Sequence, residues 1–130
     1  MTNEELQQAI VTVMVFDGWR EISNQKSRYL RPHGFNLVCP MTLHESDILE
    51  HTRYHASWKW LHPVWENFRD MSEDKLYPSV VPLFEKTTRS VDYWEHCGKI
   101  RTAITDGTIL EAFTALHSAI VWFNEINKQQ

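Results

Sequence analysis

The chain has 130 residues, a formal net charge of −4 and two cysteines, Cys39 and Cys97. This length suits a single domain over residues 1–130 that folds without a metal or a disulfide bond, and the mild acidity argues against general nucleic-acid binding. The sequence shows no signal segment and no run of about 18 apolar residues, so we expect a cytoplasmic protein whose cysteines stay reduced.

The first predicted element is a helix that begins after Thr2 and ends at Gly18. Thr2 and Glu5 have the spacing of a capping box, in which a hydroxyl and a carboxylate bind backbone N–H groups at the helix start. Gly18 can adopt the left-handed conformation that ends a helix, and Trp19 can fold back on the last turn. One apolar face has helical spacing and consists of Leu6, Ile10 and Val13.

Short segments with alternating side chains follow this helix. They predict strands at residues 20–23, 28–31 and 35–39, separated by turn-forming residues. Residues 41–54 lack a regular period, so they predict a loop that contains one helical turn near residues 46–51.

Ser57 predicts the start of a second helix, which runs to about Arg69. Pro63 lies inside this helix and is expected to kink it or to delay its start. A seam at spacings of three and four is predicted to be buried and consists of Trp58, Leu61, Trp65 and Phe68. Trp60 points away from that seam, so it either packs under the preceding loop or lies exposed as an anchor for a partner.

The next third of the chain is the hardest to interpret. Residues 71–82 contain two prolines that disfavour a regular helix, and they predict a connector with a short edge strand at residues 79–81. Residues 90–105 predict a hairpin that turns near Gly98.

The clearest predicted helix closes the chain, and Thr108 with Glu111 forms the capping box at its start. Its apolar face repeats at intervals of four and three and consists of Ile109, Phe113, Leu116, Ile120 and Phe123. Short strands joined by tight turns imply an antiparallel sheet that helices must cover. The sequence therefore predicts an α+β domain in which a small antiparallel sheet is covered by three helices, in the order α-β-β-α-β-β-α.

Three short stretches resemble segments of a known group of proteins. The stretch "YHASWKWLHPVWENF" (residues 54–68) resembles a Tyr-His-x-Ser-Trp-x-Trp-Leu-x-Pro-Val motif of small, uncharacterised phage and prophage proteins. "VFDGW" (residues 15–19) and "IVWFNEINK" (residues 120–128) are similar to their helix endings. The resemblance implies an α/β sandwich of phage origin and implies no activity, and residues 70–100 depart from it.

A histidine cluster raises the hypothesis of a metal site. His51 and His55 are spaced as i and i+4, which suits metal binding on one helix, but Thr52 stands where a hydrolytic zinc helix needs its glutamate. The predicted N-cap at Ser57 would also separate this pair from His62. We therefore favour surface or capping histidines and keep a His-based metalloenzyme as the second alternative function.

The stretch "WREISNQKSRYLRPH" (residues 19–33) suggests a different alternative. Its aromatic residues, Trp19 and Tyr29, could stack on bases. The cations that could grip phosphates are Arg20, Lys26, Arg28 and Arg31. A hairpin of this kind could bind single-stranded nucleic acid; the competing interpretation is a solvated edge hairpin whose charges prevent aggregation.

No nucleophile elbow, phosphate loop or acid–base pair is evident in the sequence. The main functional prediction is therefore a non-enzymatic phage or prophage accessory protein that binds another protein, with inhibition of a host factor or defence system as its expected role. We expect no cofactor. The predicted partner-binding residues are Trp60, Tyr54 and His55, the partner is a phage or host protein, and a homodimer is left open.

Overall fold

The computed structural model describes residues 2–31, 42–71, 73–76 and 82–128. Helices dominate the described chain, and a small sheet lies in its first half. The helices are α1 (Asn3–Phe16), α2 (Ile48–His51), α3 (Trp58–Arg69), α4 (Glu73–Leu76), α5 (Leu83–Asp106) and α6 (Ile109–Lys128). The strands are β1 (Arg20–Glu21), β2 (Arg28–Leu30) and β3 (Thr42–His44), and a 3₁₀ turn (Glu45–Asp47) links β3 to α2.

Local chemistry fixes both ends of α1 as predicted. The Thr2 hydroxyl accepts a hydrogen bond of 3.1 Å from the Glu5 backbone N–H. At the other end Gly18 has a φ of 107°, in the left-handed region that glycine tolerates. The Trp19 N–H then reaches back 3.0 Å to the Met14 carbonyl, which is the bond of a Schellman motif. This turn carries the Trp19 ring into the core, where it is buried.

The sheet is antiparallel with the order β1-β2-β3, and it places Arg20 opposite Leu30 and Tyr29 opposite Leu43. Tyr29 and Leu43 are buried, so the face that carries them covers the core. The strand predicted at 20–23 is shorter than expected, and β3 occupies part of the loop predicted at 41–54. The helical turn near 46–51 is confirmed, and the strand predicted at 35–39 lies outside the described residues.

Helix α3 begins after Ser57 and ends at Arg69, as predicted, so Pro63 does not delay its start. Leu61, Trp65 and Phe68 are buried, as the predicted seam requires, but Trp58 is 40 % exposed. Trp58 is the first helical residue, and helical side chains lean toward the N-terminus, so its ring extends beyond the helix.

The hairpin predicted at residues 90–105 is wrong, because these residues belong to the single 24-residue helix α5. Its buried face recurs at helical spacing and consists of Arg89, Tyr93, Cys97 and Ile100. The edge strand predicted at 79–81 lies outside the described residues.

Polar side chains on the buried face of α5 attach it to its neighbours. The Tyr93 hydroxyl donates to the carbonyl oxygens of Phe68, at 2.7 Å, and Arg69, at 2.5 Å. These are carbonyls that the end of α3 leaves without helical partners. Buried Arg89 donates to the Leu76 carbonyl at 3.3 Å, which holds the end of α4 against α5.

Helix α6 packs along α5 and against α1 and α3. The Thr108 hydroxyl accepts the Glu111 N–H at 3.1 Å, which confirms the predicted cap. Its buried face consists of Ala112, Phe113, Leu116, Ala119 and Ile120. The domain is thus α+β with an antiparallel sheet, but more than three helices are present and α5 replaces the second predicted pair of strands. Within the described ranges, no helix has the length and apolar character needed to cross a membrane.

Candidate interaction surface

The histidines of the alternative metal-site hypothesis lie on separate elements. Helix α2 ends at His51, and Thr52 is extended, with a φ of −116° and a ψ of 154°. His55 therefore belongs to the turn before α3, and His62 lies within α3, where its Nδ1 is 2.6 Å from the Glu66 carboxylate. Among the described residues, no three His, Cys, Asp or Glu side chains are grouped so that they could hold a metal ion.

The side chains predicted to bind a partner are mostly inside the fold. Tyr54 and Trp60 are buried, with ring centroids 5.1 Å apart in an edge-to-face contact. The exposed position considered for Trp60 is therefore wrong, and its packing under the preceding turn is confirmed. His55 is half-buried beside Phe113 at 6.3 Å, and burial lowers the pKa of its imidazole.

In the basic hairpin, the two aromatic rings that were predicted to stack on bases are not accessible. Tyr29 and Trp19 are both buried, and the Trp19 indole N–H donates to the Tyr54 hydroxyl at 3.1 Å. Arg20 and Lys26 are exposed. Arg28 and Arg31 are half-buried, and Arg28 lies 3.4 Å from the Thr42 hydroxyl. The charged part of the predicted nucleic-acid surface is therefore partly present, and its aromatic part is absent from the described surface.

The Tyr54 hydroxyl, which accepts the Trp19 indole N–H, also donates to a carboxylate. The Tyr54 hydroxyl lies 2.5 Å from Oδ2 of Asp17, the residue that ends α1. Burial raises the pKa of Asp17 to about 6, against the lowering effect of the Tyr54 hydrogen bond. A perturbed carboxyl is a candidate for chemistry. Its partner Tyr54, however, is buried and belongs to the core, so this cluster fits a structural joint between α1 and the turn before α3.

A groove of about 590 Å³ lies between α1, α3 and α6. Phe16 and Phe123 form its apolar wall, and their ring centroids lie 6.1 Å apart. Its carboxylates are engaged within α3: Glu66 with His62, and Asp70 with Arg69 at 3.0 Å. The polar groups of the groove therefore do not converge on one point, as those of a catalytic or ligand-binding site do.

The outer face of α5 is different, because it carries large apolar side chains in water. Phe84 is 84 % exposed, Trp94 62 % and Val91 54 %. These residues recur at spacings of three and four along one line, which we call the α5 stripe: Phe84, Thr87, Val91, Trp94 and Gly98. At 100° per residue this line lies opposite the buried face of α5.

The α5 stripe is large for a surface that has no partner. With the neighbouring Leu83, itself 79 % exposed, it presents on the order of 500 Å² of mainly apolar surface, near the upper limit for a soluble monomer. Its one hydroxyl is already satisfied, because Thr87 donates to the Leu83 carbonyl at 3.1 Å. This polar group could enter an apolar contact without losing a hydrogen bond to water.

Gly98 is a second feature that indicates a contact on the outer face of α5. A Cβ added at Gly98 would meet no atom within 4 Å. Glycine inside a helix costs about 1 kcal/mol relative to alanine. Since the described chain does not approach this position, its own packing does not account for the missing side chain. Close approach by another molecule would account for it.

Comparisons with protein-family models, with curated proteins and with solved structures find no match. The functional interpretation therefore depends on this geometry. The sequence did contain the signal, since residues 84, 87, 91, 94 and 98 follow a helical period. Interpreting residues 90–105 as a hairpin concealed it.

Proposed function

We propose that the protein is a non-enzymatic accessory protein that acts by binding another protein chain, and that the α5 stripe is its contact surface. The observation that carries this proposal is the exposure of Phe84 and Trp94 on the face of α5 opposite the core. Large aromatic side chains supply most of the binding energy in protein interfaces. Their exposure does not stabilise the isolated fold, so a contact in the assembled state gives them a role.

The groups that could carry a reaction support this proposal over an enzyme. The Cys97 thiol is buried, and burial raises its pKa, which keeps it protonated and poorly nucleophilic. The described histidines are distributed over separate elements, and the carboxyl of Asp17 faces core side chains. The resemblance to phage and prophage proteins makes a phage or host protein the expected partner, with inhibition of a host factor as the expected consequence.

Site-specific photo-crosslinking tests the contact surface. A photoreactive phenylalanine analogue would replace Trp94 in one variant and Trp58 in a second, matched variant, because both tryptophans are exposed on helices. After irradiation in a bacterial expression host, we expect protein adducts from position 94 and few from position 58. Equal yields at the two positions, or no protein adduct at position 94, would contradict the proposal. Adducts to nucleic acid would favour the single-stranded nucleic-acid alternative.

Retained folding must be shown for each variant. Trp94 is 62 % exposed and Trp58 40 % exposed, and both substitutions keep an aromatic ring, so far-UV circular dichroism and the thermal midpoint should match those of the parent protein within a few degrees. A second pair of variants, Phe84→Ala and Val15→Ala, extends the comparison, because both side chains are exposed and only Phe84 belongs to the α5 stripe.

A further inference from the structure

The pattern of side chains along the α5 stripe is complementary to itself, and this property indicates which kind of partner the stripe binds. A two-fold axis at Val91 would place a second α5 antiparallel to the first, with Val91 facing Val91. The same axis brings Phe84 against Gly98 of the second copy, seven residues on either side of the centre. We infer that the α5 stripe binds a second copy of this chain in this antiparallel arrangement. The inference rests on the proposed function of the stripe as the contact surface.

The sizes of the facing side chains favour the antiparallel direction. The Phe84 ring, which is 84 % exposed, would lie over Gly98, where an added Cβ would meet nothing within 4 Å. The Trp94 ring would lie against Thr87 of the second copy. Large residues thus face small ones at both ends of the contact, as close helix packing requires. A parallel pair would instead place ring on ring at Phe84 and leave a gap between two glycines.

The polar groups near the contact are already bonded within their own helix. The hydroxyls of Thr87 and Thr88 donate to the carbonyls of Leu83 and Phe84, at 3.1 and 3.2 Å. Thr102 donates in the same way to the Gly98 carbonyl at 3.0 Å. Covering these groups therefore leaves no hydroxyl without a hydrogen bond, and the threonine methyl groups add apolar contact.

Charged side chains flank the α5 stripe and do not lie within it. At about 100° per residue, exposed Glu95 lies about 60° from the centre of the stripe, so the two Glu95 side chains lie at the same rim, where their repulsion opposes the pair and salt screens it. Glu85 lies about 140° from that centre and is bonded to buried Arg89 at 2.9 Å, so it does not reach the contact.

The area indicates a weak, concentration-dependent dimer. Two stripes would bury on the order of 1,000 Å² in total, near the lower limit for a specific protein interface. The helical contact from Phe84 to Gly98 would be about 21 Å long at 1.5 Å per residue. A helix of another protein is the rival occupant, and the experiments below distinguish it from a second copy.

Sedimentation equilibrium from about 1 to about 500 µM protein, in about 150 mM salt, measures the association. Gly98→Leu adds a side chain into open space in the monomer, so it should keep or raise the thermal midpoint. The same leucine would occupy the space for Phe84 of the second copy, and we expect at least a tenfold weaker dimer. Trp94→Ala should weaken it by a similar factor, and Val15→Leu, on the exposed side of α1, should not change it.

Cysteine pairing tests the direction of the two helices in a Cys39→Ser background. Val91→Cys should form a disulfide-linked dimer much faster than Val15→Cys, although the two valines are equally exposed, at 54 and 52 %. A mixture of Phe84→Cys and Gly98→Cys chains should form mixed dimers. Each of these two variants alone should form few, because its two cysteines lie far apart in the antiparallel pair.

Three outcomes would overturn the self-association. The first is a monomer at every concentration; the second is a dimer that Gly98→Leu leaves unchanged; the third is equal disulfide formation at residues 91 and 15. If one of these is found while position 94 still crosslinks to a different protein, the stripe remains the contact surface and only its partner changes. If position 94 crosslinks to no protein, the proposed function fails as well.

Discussion

Replacing Asp17 with asparagine should stabilise the protein at pH 7.5 and leave its stability nearly unchanged at pH 4. Burial raises the pKa of Asp17 from 3.8 to about 6, so the folded state holds this proton more tightly than the unfolded state does. The resulting stabilisation is complete below pH 3.8 and is lost as the pH rises through 6. At neutral pH the folded protein therefore contains an ionised, poorly solvated carboxylate.

The pKa difference sets the magnitude of this effect. At about 1.4 kcal/mol per pKa unit, the upper limit is near 3 kcal/mol, and partial exposure of the carboxylate to solvent reduces it to about 1–3 kcal/mol. An asparagine side chain keeps an oxygen that can accept the Tyr54 hydrogen bond and carries no charge. It also removes a negative charge from the C-terminal end of α1, where the helix dipole disfavours anions.

Urea unfolding of the two proteins at pH 4, 5, 6 and 7.5 measures the difference in free energy of unfolding. The two proteins are compared at each pH because other groups also make stability depend on pH. Burial lowers the pKa of His55, His96 and His117, so protonation of these imidazoles destabilises both proteins at low pH. Asp106→Asn provides the control, since Asp106 also ends a helix and is exposed. A difference that does not change with pH, or an Asp17→Asn protein that is less stable at pH 7.5, would refute the reasoning.

Three further predictions concern stability and are measured by chemical unfolding at low protein concentration. Trp60→Ala should lower the free energy of unfolding by about 3–5 kcal/mol because the ring is buried, whereas Trp58→Ala, whose side chain is 40 % exposed, should lower it by about 1–2 kcal/mol; similar losses would contradict the burial difference. Tyr93→Phe should lower the free energy of unfolding by about 1–3 kcal/mol because the hydroxyl proton shared by the Phe68 and Arg69 carbonyls is lost, with Phe68 keeping the Met71 N–H at 3.4 Å; an unchanged midpoint would exclude that role. Gly98→Ala should stabilise by up to about 1 kcal/mol, and Gly107→Ala should destabilise because its Cβ would lie 2.9 Å from a backbone oxygen; the opposite order would be inconsistent with the geometry.

The sequence was most informative where short-range chemistry determines the structure. A hydroxyl three residues before a backbone N–H, or a glycine followed by a large apolar residue, determines a helix end without distant help. Thr2, Gly18 and Thr108 therefore lie where they were predicted, at or beside helix ends; Ser57 also precedes α3 as predicted, but its side chain makes no capping hydrogen bond. The antiparallel sheet was predicted as a class, but its third strand begins at Thr42, in a segment whose alternation covers too few residues to be distinctive.

The same approach failed where apolar residues point in two directions. Spacing placed Trp58 on the core seam and Trp60 off it, but which ring is buried depends on where α3 begins and on the Tyr54 ring beside Trp60. Helix α5 was missed because apolar residues occur on both of its faces, which hides the single stripe expected of a helix that packs on one side. The burial of Trp60 and the helical structure of α5 both depend on packing against segments that are distant in the sequence.

Helix α5 carries polar side chains on its buried face and large apolar side chains on its exposed face. This reversal explains why the helix was not predicted from the sequence, and it also supports the proposed contact surface. Its inner face carries Arg89 and Tyr93, which bind the ends of α4 and α3 through backbone carbonyls. Its outer face carries Phe84 and Trp94 in water. If those rings served only the fold, replacing both with polar residues would lower the stability of the monomer and leave its molecular contacts unchanged. If they form an interface, the same replacement leaves the monomer folded and abolishes its association. Folding and binding would then depend on opposite faces of one helix.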